Sequence, residues 1–551
     1  MASKPVIERY FSTTGLIIGT LFFGLSMSPT LLPRPDTVQG VISGLAMASG
    51  YGVGVFVIFV WKYLQLPTPK KKVQKWAQIA AAVIFLLIAV GSLWQATAWQ
   101  NSLREMMNME QDASVQPLWV GVLALLIFVA VLAVARFFIW LKRLLAQKFE
   151  KVVPPRVSFV LGLTTTFILF WLIVNGVLFS QLLRLADSTY QQVDSVMEPD
   201  REQPMDSLKA GSPNSFLSWA EMGRQGRRFL ADGPSARQIE QMTDTTAVEP
   251  IRVYVGMHAS DSFQERAELA LQELLRIGAF ERSLLVLITP TGTGWVDPGS
   301  IEPLEYLHRG DVASVAAQYS YLPSPIALIA EEDYGSEMAR ALFQEIYGHW
   351  TSLPPDQRPK LYLKGLSLGA LNSDRSFDLF DIINDPFHGV LWAGPPFRKT
   401  TWRTITNSRQ QGSPAWLPRF RDDSVVRFGN QYGGFENGDA PWGDFRIAYL
   451  QYASDPIVFF EESVFTHEPE WMKGERAPDV SERLRWFPIV TGLQLAADMM
   501  TGTSPSGFGH EYAPEHYFDA WLALTEPRGW TDDQIASLRT YFRDKMYRSE
   551  P

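Results

Sequence analysis

The stretch LYLKGLSLGALNS, residues 361–373, decides how this chain is read. It joins an apolar run, KLYLKG at 360–365, to a helix-compatible stretch, LGALNSDRSFDLFDII, through a G-x-S-x-G turn centred on Ser367. A tight strand-to-helix turn leaves no room for side chains beside its apex. Gly365 and Gly369 remove the collisions, and the serine oxygen projects from the turn. The same string without a strand before it and a helix after it would be an ordinary serine between glycines. Its context makes Ser367 a candidate nucleophile. The NH of Leu368, at the start of the following helix, is placed to meet a developing negative oxygen.

Working outward, short apolar runs alternate with amphipathic ones. IRVYVGM (251–257), SLLVLITP (283–290), PIALIAEE (325–332), KLYLKG (360–365), GVLWAGPP (389–396) and DFRIAYLQYA (444–453) read as strands. FQERAELALQELLRIGAF (263–280) and SEMARALFQEIYGHW (336–350) read as helices. Continuous apolar strands alternating with helices predict an α/β domain with a mostly parallel sheet covered on both faces. Such sheets bind ligands beyond the carboxyl ends of their strands.

A serine nucleophile needs a base, and the base an orienting carboxylate. The seven histidines narrow quickly. His258, His308 and His349 precede the serine, and His388 lies just before a strand. In a nucleophile-elbow domain the order is serine, acid, histidine. Of His467, His510 and His516, His510 stands in SPSGFGHEYAP, a small-residue loop able to lay an imidazole over Ser367. His467 reads as a surface or lid residue and His516 as part of a helix. The acid is expected after a late strand, and RIAYLQYASDPIVFF supplies Asp455 followed by Pro456. Asp439 and Asp444 lie on the wrong side of that strand, and Asp422 and Asp423 fall in the insertion discussed below. The second oxyanion donor is expected in TPTGTGWVDPG (289–299), near Thr293 and Gly294, where Gly292 and Gly294 let the backbone approach closely. The alternative for that run is a simple turn. It lacks the lysine of a phosphate-binding P-loop.

The first third of the chain has a different composition. Five apolar stretches, about 13–33, 39–61, 77–98, 118–141 and 157–183, reach the roughly 20 residues that cross a bilayer. For the first, which carries Pro29 and Pro33, a cleaved signal peptide is the rival. The 62–75 connection carries Lys62, Lys70, Lys71, Lys72 and Lys75. The 142–156 connection carries Lys142, Arg143, Lys148, Lys151 and Arg156. Basic connections stay in the cytoplasm. The N-terminus, with Lys4 and Arg9, then falls inside as well, and residue 186 emerges outside. The spans hold few ionisable residues, which points to an anchor and not an ion path. The expected organisation is a transmembrane region of about five helices (1–185), a polar linker (186–248) and a catalytic domain (249–551). The aromatic- and arginine-rich insertion 397–442 is either a lid over an acyl pocket or a structural excursion.

The absence of cysteine excludes disulfides, thiolate nucleophiles and Cys-ligated metals. No block of basic residues is interleaved with aromatics, and the net charge is −9, so no nucleic-acid partner is expected. No cofactor and no metal is expected either.

SMSPTLLPR, TPTGTGW, KGLSLG, LWAGPP, LQYASDPIV and GFGHEY together resemble a group of bacterial membrane-anchored α/β-hydrolases, in which a multi-span N-terminal region precedes an α/β-hydrolase catalytic domain. The resemblance covers most of the chain. It implies the α/β-hydrolase fold and a serine nucleophile, and it says nothing of the substrate. The expected protein is an inner-membrane serine hydrolase, esterase- or lipase-like. Ser367, Asp455 and His510 are its triad, and its substrate is a membrane lipid or envelope-associated acyl ester outside the cytoplasm. An acyltransferase or peptidase would share the triad, and a non-catalytic membrane scaffold is the remaining alternative.

Overall fold

The structure, a computed structural model, describes residues 11–67, 70–112, 116–330, 333–436, 438–501 and 504–545. Lys4 and Arg9 lie outside them. The chain divides into two compact units, Met1–Leu182 with Phe460–Pro505, and Leu183–Phe459 with Ser506–Pro551.

The first unit is built on helices α1 (Thr13–Leu25), α2 (Asp36–Tyr63), α3 (Lys71–Met106), α4 (Pro117–Phe149) and α5 (Pro155–Trp171), the last running on through a π-helical stretch, Leu172–Phe179. Four helices are long and apolar enough to cross a membrane. The exception is α1, with 13 residues. At 1.5 Å per residue it spans about 20 Å, short of the ~30 Å hydrocarbon core. The apolar run 13–33 therefore does not continue as one helix. Its second half, SMSPTLLPR, leaves the helix at Ser26 and runs as irregular backbone between prolines. Glycines on α2 let α1 and α4 approach closely: a Cβ on Gly50 would stand 2.8 Å from the Ile18 carbonyl, and one on Gly44 2.7 Å from that of Ala124.

The segment 460–505 also belongs to this unit, although no local pattern marks it. Its helix Val490–Thr501 packs on α2 and on SMSPTLLPR. The Gln494 amide donates to the carbonyls of Ser26 (2.9 Å) and Ser28 (3.0 Å). Arg34 and Asp498 form an ion pair at 3.4 Å with both side chains fully buried. Removing one partner of such a pair strands the other charge, typically at about 3–5 kcal/mol. Arg34→Met and Asp498→Leu should each lower the melting temperature of the solubilised protein sharply, while the double change recovers most of the loss. Single variants that melt like the parent would show that the pair does not hold this segment.

The second unit carries a seven-stranded, wholly parallel sheet in the order β1-β3-β2-β4-β5-β7-β6. It opens with α6 (Ser180–Ser195) and α7 (Gly223–Ala231), and residues 186–248 fall within this unit. Arg227, on α7, is 1 % exposed. Then come β1 (Ile251–Val255), α8 (Phe263–Arg276), β2 (Leu284–Thr289), α9 (Pro298–Leu307), β3 (Val312–Ala317), α10 (Tyr334–Ser352), β4 (Lys360–Leu366), α11 (Leu368–Asp374) and β5 (Gly389–Ala393). The unit closes with α12 (Thr400–Asn407), β6 (Val426–Gly429), β7 (Arg446–Leu450), α13 (Pro514–Thr525) and α14 (Asp532–Asp544). One strand expectation is corrected. PIALIAEE is no strand, since residues 324–330 are helical, and the third strand is VASVAA at 312–317. The insertion 397–442 contributes α12 and the edge strand β6.

Register sets up the site. Thr289 of β2 lies opposite Gly365 of β4, Leu366 opposite Ala393 of β5, and Ala393 opposite Leu450 of β7. The carboxyl ends of four neighbouring strands are therefore level. The loops that leave them carry Thr293, Ser367, Gly394 and Asp455.

Candidate active site

Ser367 stands between β4 and α11 at φ 56°, ψ −124°. This is a strained conformation for a residue with a side chain, of the kind that persists where the surroundings enforce it. Its NH donates to the Ala393 carbonyl at 3.0 Å, and its own carbonyl accepts from Ala370 at 2.9 Å. The two flanking glycines are required by backbone and not by side chains. A Cβ at Gly365 would lie 2.4 Å from the Gly369 carbonyl oxygen, and one at Gly369 2.2 Å from that of Thr289. The second distance also shows how close the loop after β2 comes to the turn.

Asp455 is fully buried just past β7. Its Oδ2 lies 2.7 Å from His510 Nδ1 and accepts from the Tyr512 hydroxyl at 2.7 Å, while its Oδ1 accepts from the Ile457 NH at 2.8 Å. A carboxylate facing Nδ1 favours the ring proton there and makes Nε2 the basic nitrogen. The His510 loop is tied back by the Gly509 NH, which donates to Ser454 Oγ at 2.9 Å. A Cβ on Gly394 would stand 2.6 Å from His510 Cε1. Gly394 follows Ala393, whose carbonyl holds Ser367. The serine turn and the imidazole therefore border adjacent residues at the end of β5.

The other late histidines stand elsewhere. His516 Nδ1 lies 2.5 Å from the Tyr452 hydroxyl, and burial pushes its imidazole down to about 4. His467 is exposed in the 460–505 segment.

The loop after β2 is a closed turn. The Gly294 NH donates to the Thr291 carbonyl at 2.9 Å and the Thr291 NH to that of Trp295 at 3.0 Å. The Gly294 NH is thus engaged inside the loop. Gly294 has φ +83°.

Several side chains around the site gave no signal in the sequence, because only the folded chain brings them there. Tyr512 shares Asp455 with His510 and stacks on Tyr452, ring centroids 4.4 Å apart. Lys399 is fully buried behind the serine turn, its Nζ 3.2 Å from the Ala370 carbonyl and 3.0 Å above the Trp392 ring. Burial lowers its ammonium pKa well below the usual lysine range. Asp297 and Lys364 are buried near each other beneath the site. Burial pushes the carboxyl up to about 6 and the ammonium down to about 8, each opposed by the attraction of the other. Among the described residues no cluster of His, Asp and Glu has the arrangement of a metal site.

Residues 251–538 match the model of an alpha/beta-hydrolase family, and residues 27–234 match the model of that family's N-terminal region. The chain belongs to the α/β-hydrolase family. The two matches together reach from SMSPTLLPR to α14 and take in both the apolar helices and the sheet. No curated protein and no solved structure matches the chain. Within this α/β-hydrolase domain Ser367, Asp455 and His510 come in the serine, acid, histidine order of nucleophile-elbow domains.

Proposed function

We propose that this protein is an integral membrane serine hydrolase that cleaves a carboxylic ester through Ser367, His510 and Asp455. The observation that carries the reading is the 2.7 Å Asp455–His510 contact beside a serine held at positive φ, both at the carboxyl edge of one sheet. In the reaction, His510 Nε2 removes the Ser367 hydroxyl proton as the oxygen attacks the acyl carbonyl. Asp455 fixes the tautomer and stabilises the imidazolium. The Leu368 NH, aided by the NH of Thr293, receives the negative oxygen. Collapse of the tetrahedral species expels the alcohol, which takes its proton from His510. Water, deprotonated by the same nitrogen, then attacks the acyl-serine and releases the carboxylic acid. The quickest test is a fluorophosphonate probe on solubilised membranes. Labelling that disappears in Ser367→Ala supports an active serine, and no labelling of the intact protein argues for a scaffold.

The substrate lies on the side of the membrane away from the cytoplasm. The basic connections 62–75 and 142–156 are separated by α3 and α4, so they share one face. A single further crossing, by α5, takes the chain to the opposite face whether or not α1 crosses. The 460–505 segment agrees with this. It docks on residues 26–34, whose Arg34 NH donates to Gln100 near the end of α3 away from the lysines. The cysteine-free chain makes the test direct. In intact cells an impermeant maleimide should label Gln411→Cys, whereas Lys75→Cys should react only after permeabilisation. The reverse pattern would place the catalytic unit in the cytoplasm.

A further inference from the structure

The loop that offers Thr293 does not support itself. Its consecutive carbonyls are held from beneath by two side chains of neighbouring strands. The Tyr254 hydroxyl on β1 donates to the Gly294 carbonyl at 2.6 Å, and the Gln318 amide, just past β3, donates to the Thr293 carbonyl at 3.3 Å. A Cβ at Gly294 would meet both supports, 2.5 Å from Tyr254 Oη and 2.7 Å from Gln318 Cγ. Holding both carbonyls fixes the two peptide planes after Thr293 and Gly294, and with them the shape of the 291–295 loop.

Gln318 is itself locked at every polar atom. It is fully buried. Its NH donates to the Val255 carbonyl at 2.9 Å, and its carbonyl accepts from Arg266 at 2.6 Å. Its Oε1 accepts from the Met257 NH at 3.4 Å. Its Nε2 also reaches the Ser320 carbonyl at 3.1 Å and Asp194 Oδ2 at 3.4 Å. Asp194 sits in the last turn of α6 and is 6 % exposed. Its Oδ1 accepts from the Arg224 NH at 3.0 Å, and Arg227 holds the carbonyls of Asp194 (3.3 Å) and Val196 (2.7 Å). Gly223 leaves it room, since a Cβ there would fall 2.2 Å from Asp194 Oδ2. A carboxylate in this place forces the Gln318 amide to present its NH2 group, and not its oxygen, towards Asp194 and Thr293. A buried carboxylate facing an amide oxygen would be strongly disfavoured.

We propose that Gln318, oriented by Asp194, is a positioning residue that sets the 291–295 loop for oxyanion binding, so that the end of α6 is wired to the catalytic step. The inference rests on the serine-hydrolase reading of Ser367. Neither residue touches substrate. Their contribution is to the shape of the loop, and it is realised only when negative charge develops on the substrate oxygen.

The test uses the full-length solubilised protein with a short-chain nitrophenyl ester and, separately, a boronic acid that mimics the tetrahedral species. Gln318→Leu should lower kcat about 10- to 100-fold, less than the about 10²- to 10³-fold for removing one oxyanion donor outright. KM should stay within about threefold, because the lost interaction belongs to the transition state. Boronate affinity should fall in parallel with kcat/KM. Asp194→Asn leaves Gln318 in place, still oriented by the Met257 NH and the Thr293 and Ser320 carbonyls but without the carboxylate, and should give a smaller loss of the same kind. It also covers the case in which Gln318→Leu fails to fold. The inference is overturned if the folded variants keep parental kcat, or if they lose rate without losing boronate affinity. Ser367→Ala, run alongside, separates the two levels. If it keeps full activity, the serine reading itself falls, whatever the Gln318 and Asp194 variants do.

Discussion

Ser367→Ala and His510→Ala should each lower turnover by about 10⁴- to 10⁶-fold, and the double variant should be scarcely worse than either alone. The reason is physical coupling. An imidazole without a hydroxyl to deprotonate has no task, and a hydroxyl without a base is a poor nucleophile at neutral pH. Asp455→Asn should be damaging but less complete. An asparagine amide can face Nδ1 with its NH2 group and favour the wrong tautomer, yet the ring stays near the serine. Tyr512, which donates to the same Oδ2, helps keep that corner in place. Ser367 and His510 stand at the carboxyl rim of the sheet, so the melting temperatures of their variants should change little, whereas Asp455→Asn disturbs a fully buried group with three hydrogen-bonding partners and should cost more stability. Hydrolysis of a nitrophenyl ester by matched amounts of each purified variant checks this. If His510→Ala keeps most of the rate while His516→Ala loses it, the base has been assigned wrongly. The geometry gives little room for that exchange, since His516 is buried against Tyr452 and held neutral down to about pH 4.

The second large effect is expected at the glycines of the turn. Gly369→Val would put a branched side chain where a single Cβ already lies 2.2 Å from the Thr289 carbonyl, and Gly365→Ala would press on the Gly369 carbonyl at 2.4 Å. Neither obstacle is the flexible end of a side chain. Either β2 or α11 must shift, at the cost of about 1–3 kcal/mol or more for overpacking. A displacement of the serine by 1 Å is enough to cost about 100-fold in rate. Gly369→Val should therefore lose nearly all activity and several degrees of melting temperature. Gly348→Ala, in α10, where a Cβ meets nothing within 4 Å, serves as a control for substituting a glycine away from the turn. Parental activity in Gly369→Val would mean that the turn is not tightly held.

The parts of the fold that were legible in the sequence are those written in local chemistry. KLYLKG followed by G-x-S-x-G is a strand, a turn and a helix start within a dozen residues, and the structure has β4, Ser367 and α11 there. Asp455 was legible because a strand ended in Ser-Asp-Pro, and His510 because it stood in a glycine-rich loop late in the chain. What failed did so for identifiable reasons. VASVAA is small and Ala-rich, without the bulkier Ile and Leu of PIALIAEE, and so gives the weaker strand signal. The latter is apolar but helical at 324–330. The first apolar stretch hides a break, because a proline near the end of an apolar run marks the end of a span and its interruption equally well. Segment 460–505 was invisible as a structural unit, since its partners lie more than 450 residues back, at Ser26 and Arg34. Gln318, Asp194 and Tyr512 carry no motif. Their roles exist only through contacts made after folding.

The central claim is that Ser367 is a nucleophile activated by its surroundings. It is tested most directly by locating a covalent adduct. The solubilised protein is treated with a fluorophosphonate, digested, and the modified peptide sequenced by mass spectrometry. The account predicts one adduct, on Ser367 within the tryptic peptide that begins at Gly365, and its absence in His510→Ala treated for the same time. An adduct on another serine, or labelling of Ser367 that proceeds at the parental rate without His510, would contradict it.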